Sequence, residues 1–446
     1  MSAQHSTVAD LSDQSVMGDQ RLARFGRSTL TIGAIALAVA AVVAWRQQDA
    51  HGFAMIWLQN AIFVLTLGLG AFFFTLLQHA TGASWGIAVR RIAEAQAANL
   101  QWIGLLFLVP MFWLLATDRN WEGAGAHGHG LALIWPWADL AHLTAEAPAE
   151  GALVAAKSSY LNPQFFMIRA CFYCAFWAIA AGWFFRTSRK QDHTGDPVLS
   201  KHMRMASFPT LILFALTSTF AAVDWIMSLS PAWFSTMFGV YFFCGICAGG
   251  FSVIALAAIR LQRLGYLRGV LTDEHYQDLG KFIWAFGVVF WAYIAFSQYM
   301  LIWYGNLPEE TVWFIARQIG DWSLVSIALI VGHFFIPFIF LLSRWMKRRK
   351  LTLGIGAVWM LAFAWLDIYW LVMPVIPADV ATYLTYDRLA QAYHATSTGL
   401  GNPLNYLMFA GFIGLYIGSS ALRLSGGAVL CKRDPRLAES LGFENI

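Results

Sequence analysis

Ten stretches of mostly apolar residues recur along this chain, each about the 20 residues a helix needs to cross the hydrocarbon of a bilayer. They fall near 28–45, 53–77, 98–116, 163–185, 206–227, 233–259, 281–303, 312–343, 351–373 and 403–422. Hydrophobic residues make up 59% of the 446 positions and charged residues 12%, about half the charge of a soluble domain. Water alone could not be the solvent for such a surface. The sequence predicts an all-α integral membrane protein with about ten transmembrane helices. Four of the five Cys (Cys171, Cys174, Cys244, Cys247) lie inside apolar stretches, which argues against a disulfide framework. The net charge of +4 says little by itself, and no nucleic-acid partner is expected. The polar start and the length of the first apolar stretch predict no cleavable signal peptide.

Charge distribution orients the helices. Of 29 Lys and Arg, 23 fall on one alternating set of connections, from Arg21, Arg24 and Arg27 through Arg344–Lys350 to Lys432, Arg433 and Arg436. Only Arg46, Arg119, Lys157, Arg169, Arg317 and Arg388 fall on the other. The positive-inside bias then predicts both termini in the cytoplasm. Trp45, Trp121, Trp225, Trp233, Trp303, Tyr304 and Trp345 stand near helix ends, as interfacial anchors do. The longest outer connection, 117–162, contains Trp135-Pro136-Trp137. Its length suggests a segment that packs on something or serves a partner, with a loosely folded lid as the alternative.

Two stretches match in register. Phe220-Ala-Ala-Val-Asp224, running on to Pro231, ends the fifth helix, and Phe363-Ala-Trp-Leu-Asp367, running on to Pro374, ends the ninth. Phe166-Met-Ile-Arg169 opens the fourth helix as Phe314-Ile-Ala-Arg317 opens the eighth. A duplication would make two related four-helix bundles plus two extra helices. The expected organisation is a cytoplasmic tail (1–27), a first helix with a short outer loop (28–52), one bundle (53–232), a second bundle (233–373), and an outer loop, last helix and cytoplasmic tail (374–446). Charges below the headgroups find partners, so Arg169 is expected to approach Asp224 and Arg317 to approach Asp367. Asp321, four residues on, is the alternative partner for Arg317.

The chemistry-bearing residues are scattered in depth. His79 and Asp278 lie towards the inner face, and His333 lies near the middle with Tyr293, Ser297 and Gln298. Asp224, Asp321 and Asp367 lie towards the outside. Staggered groups of this kind suit a proton path or a quinone headgroup, and equally suit plain interhelical hydrogen bonding. The candidate proton-path residues are His79, Asp224, Tyr293, Gln298, Asp321, His333 and Asp367. Cys171-Phe-Tyr-Cys174 and Cys244-Gly-Ile-Cys247 read better as packing residues than as a metal site, and His127, His129 and His142 as an incidental cluster. Integral b-type haems need His pairs on facing helices. Only His333 is deep, so no haem and no metal are expected here.

Two long blocks carry a resemblance: Asp224-Trp-Ile-Met-Ser-Leu-Ser-Pro-Ala-Trp-Phe-Ser-Thr-Met-Phe-Gly-Val-Tyr241, and His275-Tyr-Gln-Asp-Leu-Gly-Lys-Phe continuing through Phe290-Trp-Ala-Tyr-Ile-Ala-Phe-Ser-Gln-Tyr to Glu310-Thr311. The chain resembles the second of the two large membrane subunits of bacterial alternative complex III, in the polysulfide-reductase membrane-anchor (NrfD-like) superfamily. The likeness runs from about the second helix onward and excludes the N-terminal tail and the 117–162 loop. It implies a bacterial inner-membrane subunit of a quinol:cytochrome c oxidoreductase. Its implied partners are a sister membrane subunit, a peripheral iron–sulfur subunit related to molybdopterin enzymes, and multihaem cytochrome c subunits. Quinol and lipids are further contacts, and a terminal oxidase is a further candidate partner. Haems c and iron–sulfur clusters would belong to the partners, and the catalytic quinol site is better attributed to the sister. The resemblance leaves open whether quinone touches this subunit. Two other classes compete, a secondary transporter (Pro110 and Pro337 being weak hints of broken helices) and a purely structural anchor.

Overall fold

The computed structural model describes residues 10–47, 49–117, 130–374 and 399–445. Ten of its helices are long and apolar enough to cross a membrane: α1 Gln20–Gln47, α2 Ala50–Thr81, α3 Ile87–Ala116, α4 Pro163–Thr194, α5 Pro197–Leu229, α6 Phe238–Arg263, α7 Asp273–Gly305, α8 Trp322–Leu342, α9 Lys350–Val372 and α10 Pro403–Ser425. Among the described residues there is no β-strand, only one isolated bridge between Met17 and Ala428. The molecule is an all-α, multi-pass membrane protein.

Local chemistry sets the helix starts. Asn162-Pro163, Asp196-Pro197 and Asn402-Pro403 open α4, α5 and α10, each Asn or Asp side chain accepting from a first-turn N–H. An oxygen-bearing N-cap followed by proline satisfies one orphan donor and removes another. The sequence expectation fails at one helix. The apolar stretch 312–343 is two elements, a short helix Pro308–Gln318 and then α8, parted by a turn in which Gly320 takes φ +57. Arg317 therefore ends the short helix and does not open the eighth span.

α2 is buried along almost its whole length and packs against α3, α5, α6, α9 and α10. At its middle a Cβ on Gly70 would come within 2.3 Å of Ile246 O on α6, so glycine is what lets these two backbones touch. α1 and α10 pack face to face in the same manner, with Gly33 against Gly411 and Gly414. Exposed apolar side chains such as Ile32, Ile179, Ile212 and Ile339 cover the flanks, as a lipid-facing surface requires.

The chain segments before α1 and after α10 meet at one end of the bundle. Val429 N donates to Val16 O (2.8 Å), Leu267 N in the α6–α7 connection donates to Ser15 O (2.9 Å), and Lys432 pairs with Asp13 (2.8 Å). This is the basic end. At the opposite end the 117–162 connection is folded, not loose, where it is described. Short helices at Leu140–Glu146 and Pro148–Ala156 follow Trp135 and Trp137, which are buried against Phe166. Trp135 Nε1 donates to Trp225 O (3.3 Å). Arg119, Trp121, His127, His129 and Arg388 lie outside the described residues.

Candidate functional site

At the end opposite the termini, α4 and α5 bring Arg169 and Asp224 together as a buried fork. Nε meets Oδ2 at 2.8 Å and Nη2 meets Oδ1 at 3.0 Å. Two parallel charge-assisted bonds are the strongest arrangement these side chains make. Tyr173 donates its hydroxyl to the same carboxylate (2.9 Å), and the guanidinium lies 3.8 Å from the centre of the Tyr160 ring. Burial, and after it the Asp224 carboxylate, push the Tyr160 phenol above its ordinary range.

The matching pair in the second half is not formed. Arg317 donates to the carbonyls of Trp370 and Leu371, both at 3.1 Å, and to Trp313 O at 2.8 Å. It thus caps the C-terminal turn of α9, where the helix dipole favours a cation, and lies over the Trp313 ring at 3.4 Å. The turn at Gly320 places Arg317 beyond the carboxylate it was expected to meet. Asp321, the alternative partner, is exposed beside the N-terminus of α8 and makes no ion pair with Arg317.

Asp367 is buried and held by neutral donors, the Tyr241 hydroxyl on α6 (2.5 Å) and Trp291 Nε1 on α7 (3.3 Å). Behind Trp291 stands His333 of α8, its ring parallel to the indole with centroids 4.0 Å apart. His333 Nε2 donates to Gly287 O at 3.2 Å, which fixes the tautomer because a carbonyl can only accept. Both residues sit in π-helical turns, Ile283–Phe290 in α7 and Ile330–Phe335 in α8. Such turns release carbonyls from the regular ladder.

Tyr241 and Trp291 also form the inner wall of a cavity of about 720 Å³ between α7, α8 and α9. Its lining is aromatic and aliphatic (Phe296, Tyr299, Phe314, Phe334, Phe338, Trp370), with polar groups at Gln298, Gln318 and Ser326. Tyr293, Phe296, Ile330 and Phe335 at its rim are exposed on the apolar flank, so it opens sideways. Gln298 is buried and donates to Ser235 Oγ (3.0 Å). Tyr293 is 64% exposed and serves the rim, not a buried relay.

A second cluster lies at the basic end; the sequence marks His79 in it as a proton-path candidate, and Arg90 and Arg91 only through the positive-inside count. Arg90 and Arg91 of α3 flank the buried Glu94 at 3.2 and 3.4 Å. Arg90 also reaches Asp434 (2.6 Å), and Arg91 pairs with Asp192. His79 Nε2 stands 3.8 Å from Glu94. The signal for it was the Arg90-Arg91-x-x-Glu94 spacing, which puts all three on neighbouring helix faces. Burial pushes the adjoining Cys431 thiol up to about 11. Asp278, its side chain mostly buried, pairs with the exposed Lys281 (2.7 Å).

Cys174, Cys244 and Cys247 are buried among helices, Cys174 against Gly104. Among the described residues no three His, Cys, Asp or Glu side chains are grouped to hold a metal ion. His142 lies 3.4 Å from Glu146 on a surface helix. No protein-family model matches this chain, and no curated protein matches it.

Proposed function

We propose that this chain is a membrane subunit of a respiratory quinol:acceptor oxidoreductase of the alternative complex III type, and that it carries part of a proton path. The observation that carries this reading is Asp367, a buried carboxyl whose hydrogen-bond partners are a phenol and an indole. A structural carboxylate at this depth is normally matched by a cation, as Asp224 is. Asp367 with Tyr241 is suited to taking up and releasing a proton. The likeness of the Asp224–Tyr241 and His275–Thr311 blocks to that family supports the same assignment. Quinol oxidation is assigned to a sister subunit, and haems c and iron–sulfur clusters to the other partners. The basic end faces the cytoplasm of a bacterial inner membrane in this reading.

The sideways cavity favours a second role, as a recess for a quinone ring with Tyr241 and Gln298 as hydrogen-bonding groups. Pockets of this size with few polar groups hold ligands of that class. A secondary transporter fits less well. Its substrate site would need non-helical breaks at mid-membrane, whereas Pro110 lies within a continuing helix and Pro337 follows a π-turn.

The test is an Asp367→Asn variant of the assembled complex reconstituted in vesicles. Protons moved per electron should fall while quinol oxidation is largely retained. Unchanged proton movement by a fully assembled variant would overturn the proton-path role. Failure of the purified chain to co-elute with haem c and iron–sulfur subunits would overturn the assignment to the complex. For the recess, Ala295→Phe should lower the quinone that copurifies without altering assembly.

A further inference from the structure

At the basic end a separate recess of about 200 Å³ lies between the end of α2, the start of α5 and the segment Asp434–Arg436. Its charge is unevenly matched. Asp434 is occupied, accepting from Arg90 (2.6 Å) and from the Arg436 backbone N–H (3.0 Å). Arg436 is occupied by Glu439 and by Gly82 O. Lys201 and Arg204, on the first turns of α5, form no ion pair with any described residue. Deeper in the recess, His79 is 5% exposed and its Nε2 is turned to the Glu94 carboxylate at 3.8 Å, so it is not a ligand group of the recess. Ser200 Oγ accepts from Gln191 (2.7 Å), which leaves its hydroxyl hydrogen to donate.

Two free cations and a hydroxyl beside one recess call for an anion with several acceptor oxygens. The continuation of α5 says where that anion comes from. Met205, Phe208 and Ile212 follow Lys201 and Arg204 at helical spacing and are 61%, 47% and 65% exposed. Cations at the helix end therefore sit directly above an apolar stripe on the same outward face. That is the profile of one lipid molecule, with an anionic head at the recess and acyl chains along α5. A free phosphate would use the recess and leave the stripe bare.

We propose that this recess binds the phosphate of an anionic phospholipid, with Lys201 and Arg204 as its principal contacts and Met205, Phe208 and Ile212 as the acyl-chain track. The site is remote from Asp367 and stands independently of the proton-path reading.

Native mass spectrometry of the purified full chain in detergent tests it, with dioctanoyl-phosphatidylglycerol, dioctanoyl-phosphatidylcholine and inorganic phosphate as probes. Phosphatidylglycerol should bind at one saturable site and phosphatidylcholine much more weakly. In Lys201→Gln/Arg204→Gln that binding should weaken about thirty-fold, each cation near a headgroup being worth about five-fold. Arg24→Gln/Arg27→Gln removes the same charge from α1 at the same end and should leave the affinity within about two-fold. Equal losses in the two double variants would reduce the effect to bulk charge and overturn the site. Unchanged binding in Lys201→Gln/Arg204→Gln would overturn it also. Inorganic phosphate that displaces phosphatidylglycerol at matching concentration would overturn the lipid assignment. If a variant fails to fold, Phe208→Ser, which leaves the cations in place, should weaken phosphatidylglycerol several-fold with no effect on phosphate, and equal binding overturns the track.

Discussion

Asp224 and Asp367 occupy matching places in two stretches of similar sequence, near the same ends of α5 and α9, and their surroundings differ in kind. Asp224 is locked by the two-bond Arg169 fork and by Tyr173. Among the described residues the side chains that bond Asp367 are Tyr241 and Trp291 alone, with an aromatic cavity on the far side of both. The first arrangement resists change, because breaking a buried ion pair strands a charge. The second has no charge partner to lose. The first carboxylate is fixed by a charge and the second by neutral donors, and that difference is what the proposed proton role of Asp367 rests on.

The comparison can be broken most directly at the fork. Arg169→Leu should destabilise the full chain by about 3–5 kcal/mol, read as a large drop in thermal unfolding midpoint in detergent. A drop no larger than that of a surface substitution would remove the contrast. Next in size, Asp367→Asn keeps an acceptor for Tyr241 and should cost only about 1 kcal/mol, whereas Asp224→Asn should approach the cost of Arg169→Leu. Equal losses in these two Asn variants would show that both carboxyls are structural. A smaller effect sharpens the contrast further. Tyr173→Phe removes one of three bonds to Asp224 and should cost about 0.5–1 kcal/mol, while Tyr241→Phe should cost more because Trp291 alone remains. Smallest of all, a Cβ added to Gly245 would stand 3.8 Å from Asp367 Oδ2, an ordinary van der Waals contact. Gly245→Ala should be neutral or stabilising by up to about 1 kcal/mol, and a severe loss would mean that the Asp367 pocket is tighter than its geometry indicates.

Hydropathy and charge alternation carry the ten spans because lipid imposes a length and the headgroup region a charge asymmetry on every one. Arg169 and Asp224 could be joined on paper because both lie at the same-side ends of consecutive helices in an unbroken stretch. Arg317 could not be placed, since a window average over 312–343 does not register a three-residue turn, and that turn decides whether the guanidinium meets Asp367 or the last carbonyls of α9. The π-turns around Gly287 and His333 are backbone register shifts with no composition of their own. Tyr241, the residue that joins Asp367 to the cavity, carries no mark in the sequence that sets it apart from the other aromatics of α6. Its partner is 126 positions away, and only the packing of α6 on α9 brings the two together. The Arg90–Arg91–Glu94 cluster was hidden differently. Its charges were read as an orientation signal, and their acidic partners are distant in sequence, Asp192 at the end of α4 and Asp434 in the segment after α10.

The glycine-faced contact between α1 and α10 has a consequence in time. During synthesis α1 is made before the other nine spans described, while the surface it fits, Gly411 and Gly414 of α10, is made after them. For most of the chain's assembly the groove at Gly33 has no mate, and Val16 has no Val429 to pair with. The other spans can settle against one another as they emerge, but this pair closes only when the final helix arrives. A ribosome that stalls before α10 would therefore leave nine of these ten spans in place with α1 unfastened, and the arrival of α10 is the event that closes this contact.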